Sequence, residues 1–254
     1  MAICKIISPH LALESGAAIE DSTFTDSAQP GSNLLLPNLW ALAQSDGSAS
    51  QYVTFDFGSA VSVEACAVLA HTIPSSPSVL RIAGHTADSW GSPASGWIDL
   101  TYNSNEIIKF FGATHSYRYW RLEVTASASF VIGSIVLGEV WEAPHAGYNG
   151  LSRSRKLSAD GTISYEALSF GLEHLTQAQS EELIAILDRH RQRRHGGPYH
   201  WSAKPTLFCL DSGSDIVDDG LQEWSFYAVV AGDPSAGMGY HTHDNYRIAL
   251  EECL

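Results

Sequence analysis

The sequence predicts a mainly β protein made of two sandwich-like modules and a single helix. Three observations carry that expectation. Only 17% of the residues are charged, against roughly 25% in an average soluble domain, while Gly, Ser, Thr and aromatic residues are plentiful. Short stretches that alternate apolar and polar residues recur between turn formers along most of the chain, the pattern of an antiparallel sandwich. Only one stretch has helical spacing with both ends marked. At 254 residues and 44% hydrophobic content, the chain can bury two ordinary cores.

The elements follow in order. Residues 9–50 hold Pro30-Gly31 and Pro37-Asn38-Leu39-Trp40 and little periodicity, so they are expected to be loop with one short strand. From Gln51 the chain alternates: Val53, Phe55 and Phe57 share a core face, and Tyr52, Thr54 and Asp56 share a solvated one. Residues 61–70 begin as alternation and become continuously apolar, as in a strand entering the middle of a sandwich, and Pro74 and Pro77 close it. Further strands are expected at 79–84, 97–100, 106–110, 116–125 and 130–140. In 116–125, Trp120, Leu122 and Val124 read as core, with Arg118 on their face; Tyr117, Tyr119, Arg121 and Glu123 share the other.

The order of these motifs is itself informative. A Trp-containing loop precedes Tyr52-Val-Thr-Phe-Asp-Phe-Gly58, then an apolar strand ends in Ala70-His71-Thr72, then come Tyr119-Trp-Arg-Leu-Glu-Val124 and Ile132-Gly-Ser-Ile-Val-Leu-Gly-Glu-Val140. Over residues 10–142 this resembles the discoidin, or galactose-binding-like, jelly roll, and that resemblance implies a jelly-roll β-sandwich for residues 9–143.

Residues 142–150 are rich in turn formers and mark the boundary. Beyond them a polar hairpin arm turns at Asp160-Gly161, and 162–172 alternates with both faces partly apolar. Thr176-Gln-Ala-Gln179 then has the form of a capping box with Thr176 as N-cap. The helix is expected over about 176–194, with Ala178, Leu183, Ile184 and Leu187 as its apolar stripe, and Arg189, His190, Arg191, Arg193 and Arg194 crowding its negative end. Gly196-Gly197-Pro198 stops it, and strands are expected at 199–203, 206–210, 221–231 and 246–251.

This second module, residues 144–254, resembles the tube-type fold of phage tail proteins, a β-sandwich or barrel flanked by one helix. The stretch from Leu175 to Leu183, followed by a Gly-Pro and a strand with Trp201, is similar to siphophage tail-tip proteins of the distal tail class. The departure is domain order, because the ring domain usually comes first. Residues 1–8 offer that domain a first strand, which would make the jelly roll an insertion. The resemblance implies a virion structural protein of the tail tip or baseplate, made in the host cytoplasm. It would form a homo-oligomeric ring, six copies, around the DNA conduit and connect tail tube to tip proteins. The alternative reading is a carbohydrate-binding adhesion module contacting the host envelope.

Charge narrows the partners. The formal charge is −14, with both modules acidic, so condensation on nucleic acid by phosphate neutralisation is disfavoured, whereas an acidic conduit wall would keep DNA from sticking. The N-terminus lacks a basic region followed by an apolar stretch and a cleavage site, and no run reaches the roughly 18 apolar residues that cross a bilayer. Neither a signal peptide nor membrane insertion is expected. Cys4, Cys66, Cys209 and Cys253 are scattered without a C-x-x-C pair, which reads as reduced, buried thiols.

No Gly-x-Ser-x-Gly, H-E-x-x-H, P-loop or dinucleotide fingerprint occurs, so neither enzymatic activity nor a cofactor is expected. His241 and His243 alternate and are the best local metal candidates, but no third ligand follows from spacing, and an exposed turn is the ordinary reading. Asp211, Asp215, Asp218 and Asp219 suit an exposed acidic hairpin tip better than a calcium loop, whose closing Glu is missing. The helix dipole accounts for one or two of the terminal arginines. Arg189, Arg191, Arg193 and Arg194 are therefore expected to meet an acidic surface such as Asp215, Asp218 and Asp219 of a neighbouring copy. Trp40, Trp90 and Trp97 lie in loop or strand-edge stretches and are the candidate glycan contacts.

Overall fold

The computed structural model describes residues 4–14, 16–144, 148–157, 163–190, 205–209, 225–230, 235–238 and 244–252. The chain is mainly β and divides into two compact units. Among the described residues, one comprises those before His10 together with those from Trp141 onward, and the other comprises His10–Val140. The strand β1 (Lys5–Ile7) thus belongs with the C-terminal part of the chain, and the second unit interrupts the first.

Within His10–Val140 the strands are β2 (Ala18–Ser22), β3 (Ala43–Gln44), β4 (Ser50–Leu69), β5 (Val79–His85), β6 (Ile98–Asp99), β7 (Ile107–Thr125), β8 (Val131–Ile132) and β9 (Ser134–Gly138). The long strands β4 and β7 pair antiparallel, from Ser50 opposite Thr125 to Val68 opposite Ile107. The first half of β4 also pairs β2, and its second half pairs β9; β5 pairs only the second half of β7. The two strands therefore bend together midway, and β4 exchanges β2 for β9 as its other neighbour within one six-stranded sheet. Register breaks between Asp56 and Val61 and between Val63 and Ala65 mark the change, with Gly58 at φ 72° and Gly112 at φ 73°, the left-handed conformation that a Cβ disfavours. Bulges of this kind let strands turn the corner of a sandwich.

This corner explains why the expected breaks at 58–61 and 111–115 are bends inside single elements rather than loops. Val53, Phe55, Leu80, Ile82, Trp120, Leu122 and Val124 from one side of the bend join Val63, Cys66, Val68, Ile107 and Leu137 from the other in one core cluster. Truncating a fully buried aromatic in such a core costs about 3–5 kcal/mol. Residues 9–50 are more ordered than their composition predicts. Besides β2 and β3 they form 3-10 turns at Leu11–Leu13 and Gly31–Leu35, because Leu11, Phe24 and Leu34 are buried and pull the segment onto the core. The expected strand 130–140 is divided among β8, β9 and β10 (Val140–Glu142).

In the other unit β11 (Tyr148–Leu157) and β12 (Ile163–Leu175) form a hairpin, followed by α1 (Gln177–Arg189), β13 (Thr206–Cys209), β14 (Ser225–Val230), β15 (Ser235–Met238) and β16 (Asp244–Glu252). The sheet order is β10-β1-β13-β14-β16-β12-β11, with β15 also on β16. The capping box forms: Thr176 Oγ1 accepts from Gln179 N, and Gln179 Oε1 accepts from Thr176 N. The buried stripe of α1 differs from the expected one. Ser180, Leu183, Leu187 and the capping His190 are buried, whereas Ala178 and Ile184 are exposed. The face pressed on the core runs through Ser180, Leu183, Ile186, Leu187 and His190, and at about 100° per residue Ala178 and Ile184 point away from its centre. Leu183 and Leu187 join Cys4, Ile6, Trp141, Phe170, Leu172, Phe208, Ala228 and Ile248 in the core. His190 is buried, its Nε2 lying 2.8 Å from Ser8 Oγ. No helix of the described residues is long and apolar enough to cross a membrane.

Candidate functional site

Alternation along β4, β5 and β7 sends one set of side chains into the core and the other onto the outer face of the sheet β2-β4-β7-β5-β6. Register then lines that outer face up in rows. Asp21, Thr54, Arg121 and Ala83 are cross-strand neighbours in one row, and Tyr52, Glu123, Arg81 and Asp99 in the next. The expectation of a solvated face fails at its centre, because Thr54 and Ala83 are fully buried. Arg121 covers Thr54, donating from Nε to Thr54 Oγ1 at 2.7 Å. The connection between β5 and β6 folds back over the sheet, anchored where Ser95 Oγ accepts from Gly84 N at 2.8 Å and Ser95 N donates to Gly84 O at 3.1 Å.

That connection carries Asp88, Trp90 and Trp97 onto the face. The two indoles are half-buried, their ring centroids 6.2 Å apart and their planes inclined at 42°. Each is backed by a guanidinium: Arg81 Cζ lies 4.0 Å from the Trp97 centroid, and Arg121 Cζ lies 4.7 Å from Trp90 and 4.0 Å from Tyr52. Such cation–π contacts are strongest where water is excluded, and only 13% of the Arg121 side chain is exposed.

Carboxylates hold the cations in place. Glu123 Oε2 accepts from Arg81 Nε and Nη2 at 3.1 and 2.9 Å. Asp21 and Asp88 accept from Arg121 Nη2 at 3.4 and 3.5 Å. Asp21 also accepts from the Tyr52 hydroxyl at 2.9 Å, and Asp88 from Trp90 Nε1 at 2.5 Å. The hydrogen bond to Asp21 raises the Tyr52 phenol above its ordinary range, and burial lowers the Arg121 guanidinium. Beside this row Arg118 grips Asp56 with two bonds of 2.7 Å, holding that carboxyl below its usual range.

The structure brings Trp90 and Trp97 together but not Trp40, which is 78% exposed on the turn before β3 and makes none of these ring contacts. Sequence reasoning missed Arg81, Arg121, Tyr52, Asp21 and Asp88. Alternation had placed Tyr52 and Arg121 on outer faces, but their meeting depends on a strand register that periodicity does not give. Of the expected oligomer contacts, Arg189 is exposed at the end of α1; Arg191, Arg193, Arg194, Asp215, Asp218 and Asp219 lie outside the described residues, as do His241 and His243. Among the described residues no group of three or more His, Cys, Asp or Glu is placed to hold a metal ion.

No protein-family model matches the sequence, and no curated protein matches it. Solved structures do. CpGH89CBM32-6 produced by Clostridium perfringens is 17% identical, with 52% of this chain and 99% of that one covered at a TM-score of 0.41. Chitosan-binding module 2, in complex with chitotriose, from a chitosanase/glucanase of Paenibacillus sp. IK-5 is 16% identical, with 51% and 99% covered at 0.41. A Streptococcus pneumoniae fucose binding module is 10% identical, with 52% and 98% covered at 0.40.

Proposed function

We propose that this protein is a non-catalytic carbohydrate-binding protein and that its Trp90–Trp97 face takes the sugar. One observation carries the reading: two half-exposed indoles inclined at 42° are each fixed by an arginine and rimmed by Asp21, Asp88 and Glu123. A sugar ring offers a patch of C–H groups to an aromatic face and hydroxyls to carboxylate oxygens, so a rigid aromatic corner with a polar rim suits it. The arginines hold the indoles before any ligand arrives, which reduces the ordering cost of binding.

The test is retention of the full chain on an array of neutral hexose glycans, repeated with Trp90→Ala, Trp97→Ala and Trp40→Ala. Loss of about tenfold or more is expected for the first two and little change for Trp40→Ala. Absence of retention, or retention indifferent to Trp90 and Trp97, overturns the reading.

A structural role in an assembly is the second reading, and it is here that the tail-tip ring around a DNA conduit stands. The observation favouring it is an edge. Among the described residues β11 pairs only with β12, so its outer backbone groups can accept a strand from another copy. Light scattering of the purified chain separates the cases: a six-fold mass supports a ring, and a monomer at high concentration counts against it.

A further inference from the structure

His85 ends β5 just before the connection that carries Asp88 and Trp90. Its Nδ1 accepts a hydrogen bond from Ala87 N at 2.9 Å, closing the first turn of that connection, and its ring meets Trp90 edge to face at 6.3 Å. We infer that His85 is a positioning residue for the aromatic face, fixing the turn that presents Trp90 only while its imidazole is neutral, so that the face loosens as pH falls. The affinity consequence rests on the carbohydrate reading; the positioning itself does not.

The chemistry is that of one lone pair. Nδ1 can accept from Ala87 N only while it carries no proton. Protonation turns the acceptor into a second donor facing the Ala87 N–H. The groups facing His85 are committed elsewhere. Across the strand pair lies Tyr119, with Arg118 Cζ 4.8 Å from its ring, and Arg118 is gripped by Asp56 of β4. On the connection, Asp88 accepts from Trp90 and Arg121.

The same two-residue turn is closed by oxygen acceptors elsewhere in the unit: Asp26 accepts from Ala28 N, Asp56 from Gly58 N and Asn103 from Asn105 N. An Asn at 85 thus preserves the acceptor and removes the titration. His71 supplies an internal reference, since its Nδ1 accepts from Ile73 N at 3.2 Å, while burial lowers its titration range.

The experiment is amide and indole NMR of the full chain between pH 8 and 5.5. The Ala87 amide and the Trp90 indole N–H, assigned with Trp90→Phe, are expected to move together with the midpoint of the His85 ring protons, while the Ile73 amide should follow the His71 ring protons instead. His85→Asn should leave both signals fixed over that range, and His85→Phe should displace the Trp90 signal at every pH. On the neutral-hexose array, wild-type retention should fall about fivefold once the His85 ring protons report full protonation, the worth of one hydrogen bond, and His85→Asn should stay level. Signals that ignore pH, or a His85→Asn variant that titrates like wild type, overturn the inference. A normal NMR titration without retention on any glycan supports the positioning role and overturns the carbohydrate reading instead.

Discussion

Arg121 and Thr54 are cross-strand partners whose side chains close the outer face of the sheet, Nε donating to Oγ1 at 2.7 Å. The guanidinium also lies against Tyr52 and Trp90, so the long stem and planar head cover polar and aromatic surface at once. Replacing Arg121 by Met keeps the stem but removes every donor, leaving Thr54 without its partner and Asp21 and Asp88 without their shared cation. A loss of about 1–3 kcal/mol is expected, read as a lower urea midpoint with an unchanged slope. Arg121→Lys should recover little of it, because an ammonium lacks the planar fork. Full recovery by Lys would mean that charge alone matters at this position.

The Asp56–Arg118 pair makes stability depend on acid. The two bonds from Arg118 lower the Asp56 pKa in the folded state, so its contribution is fully present above the unfolded value of about 3.9 and is lost as pH falls through the folded value. Asp56→Asn should therefore lower the urea midpoint at pH 7 and flatten its decline below about pH 4. Arg118→Met should do the same, and combining the two should add little. A double variant whose loss equals the sum of the singles would show that the pair is uncoupled.

The legible parts of the molecule were those set by local pattern. Alternation assigns Val53, Phe55, Phe57, Trp120, Leu122 and Val124 to the core, where they are buried, and the capping box at Thr176 is visible in four consecutive residues. What stayed hidden depends on contacts distant in sequence. Thr54 alternates as an outer residue, yet Arg121, 67 positions later, buries it. The bends at Gly58 and Gly112 resembled strand ends because a glycine inside a strand and one that terminates it look alike until both partners are known. Half of the candidate site was therefore accessible as aromatic residues in a connection, and the half made of arginines and carboxylates required the register.

Thr176 tests the local reading of α1. Its hydroxyl accepts from Gln179 N while the Gln179 side chain returns the bond to Thr176 N, satisfying two donors that the helix leaves open. Thr176→Ala should cost about 1 kcal/mol, and Thr176→Ser should cost much less, both by urea titration followed by circular dichroism. Equal losses for Ala and Ser would assign the effect to the methyl group rather than to the cap.

Burial governs the thiols. Cys4 is pushed up to about 12 by burial, and Cys66 is raised by the same cause. The thiolate is the reactive form and is disfavoured in a dry core, so neither should react with a disulfide reagent at pH 8 until urea unfolds the chain. Mass mapping of the native reaction checks this, and rapid labelling of Cys66 would place it outside the core.

Gly84 is the tightest point beneath the aromatic face. A Cβ there would lie 2.5 Å from Tyr117 Cδ2, 3.0 Å from its Cγ and 3.1 Å from Trp120 Cε2. Tyr117 is half-buried, whereas Trp120 is fully buried and packed against Phe111 and Tyr117. Gly84→Ala should therefore destabilise by about 1–3 kcal/mol through overpacking and alter the near-ultraviolet dichroism of the indoles. Because most of the clash is with Tyr117, Gly84→Ala combined with Tyr117→Ala should lose less than the two single losses together. Strict additivity would point to Trp120, or to the Ser95–Gly84 anchor of the Trp90 connection, as the structure that yields.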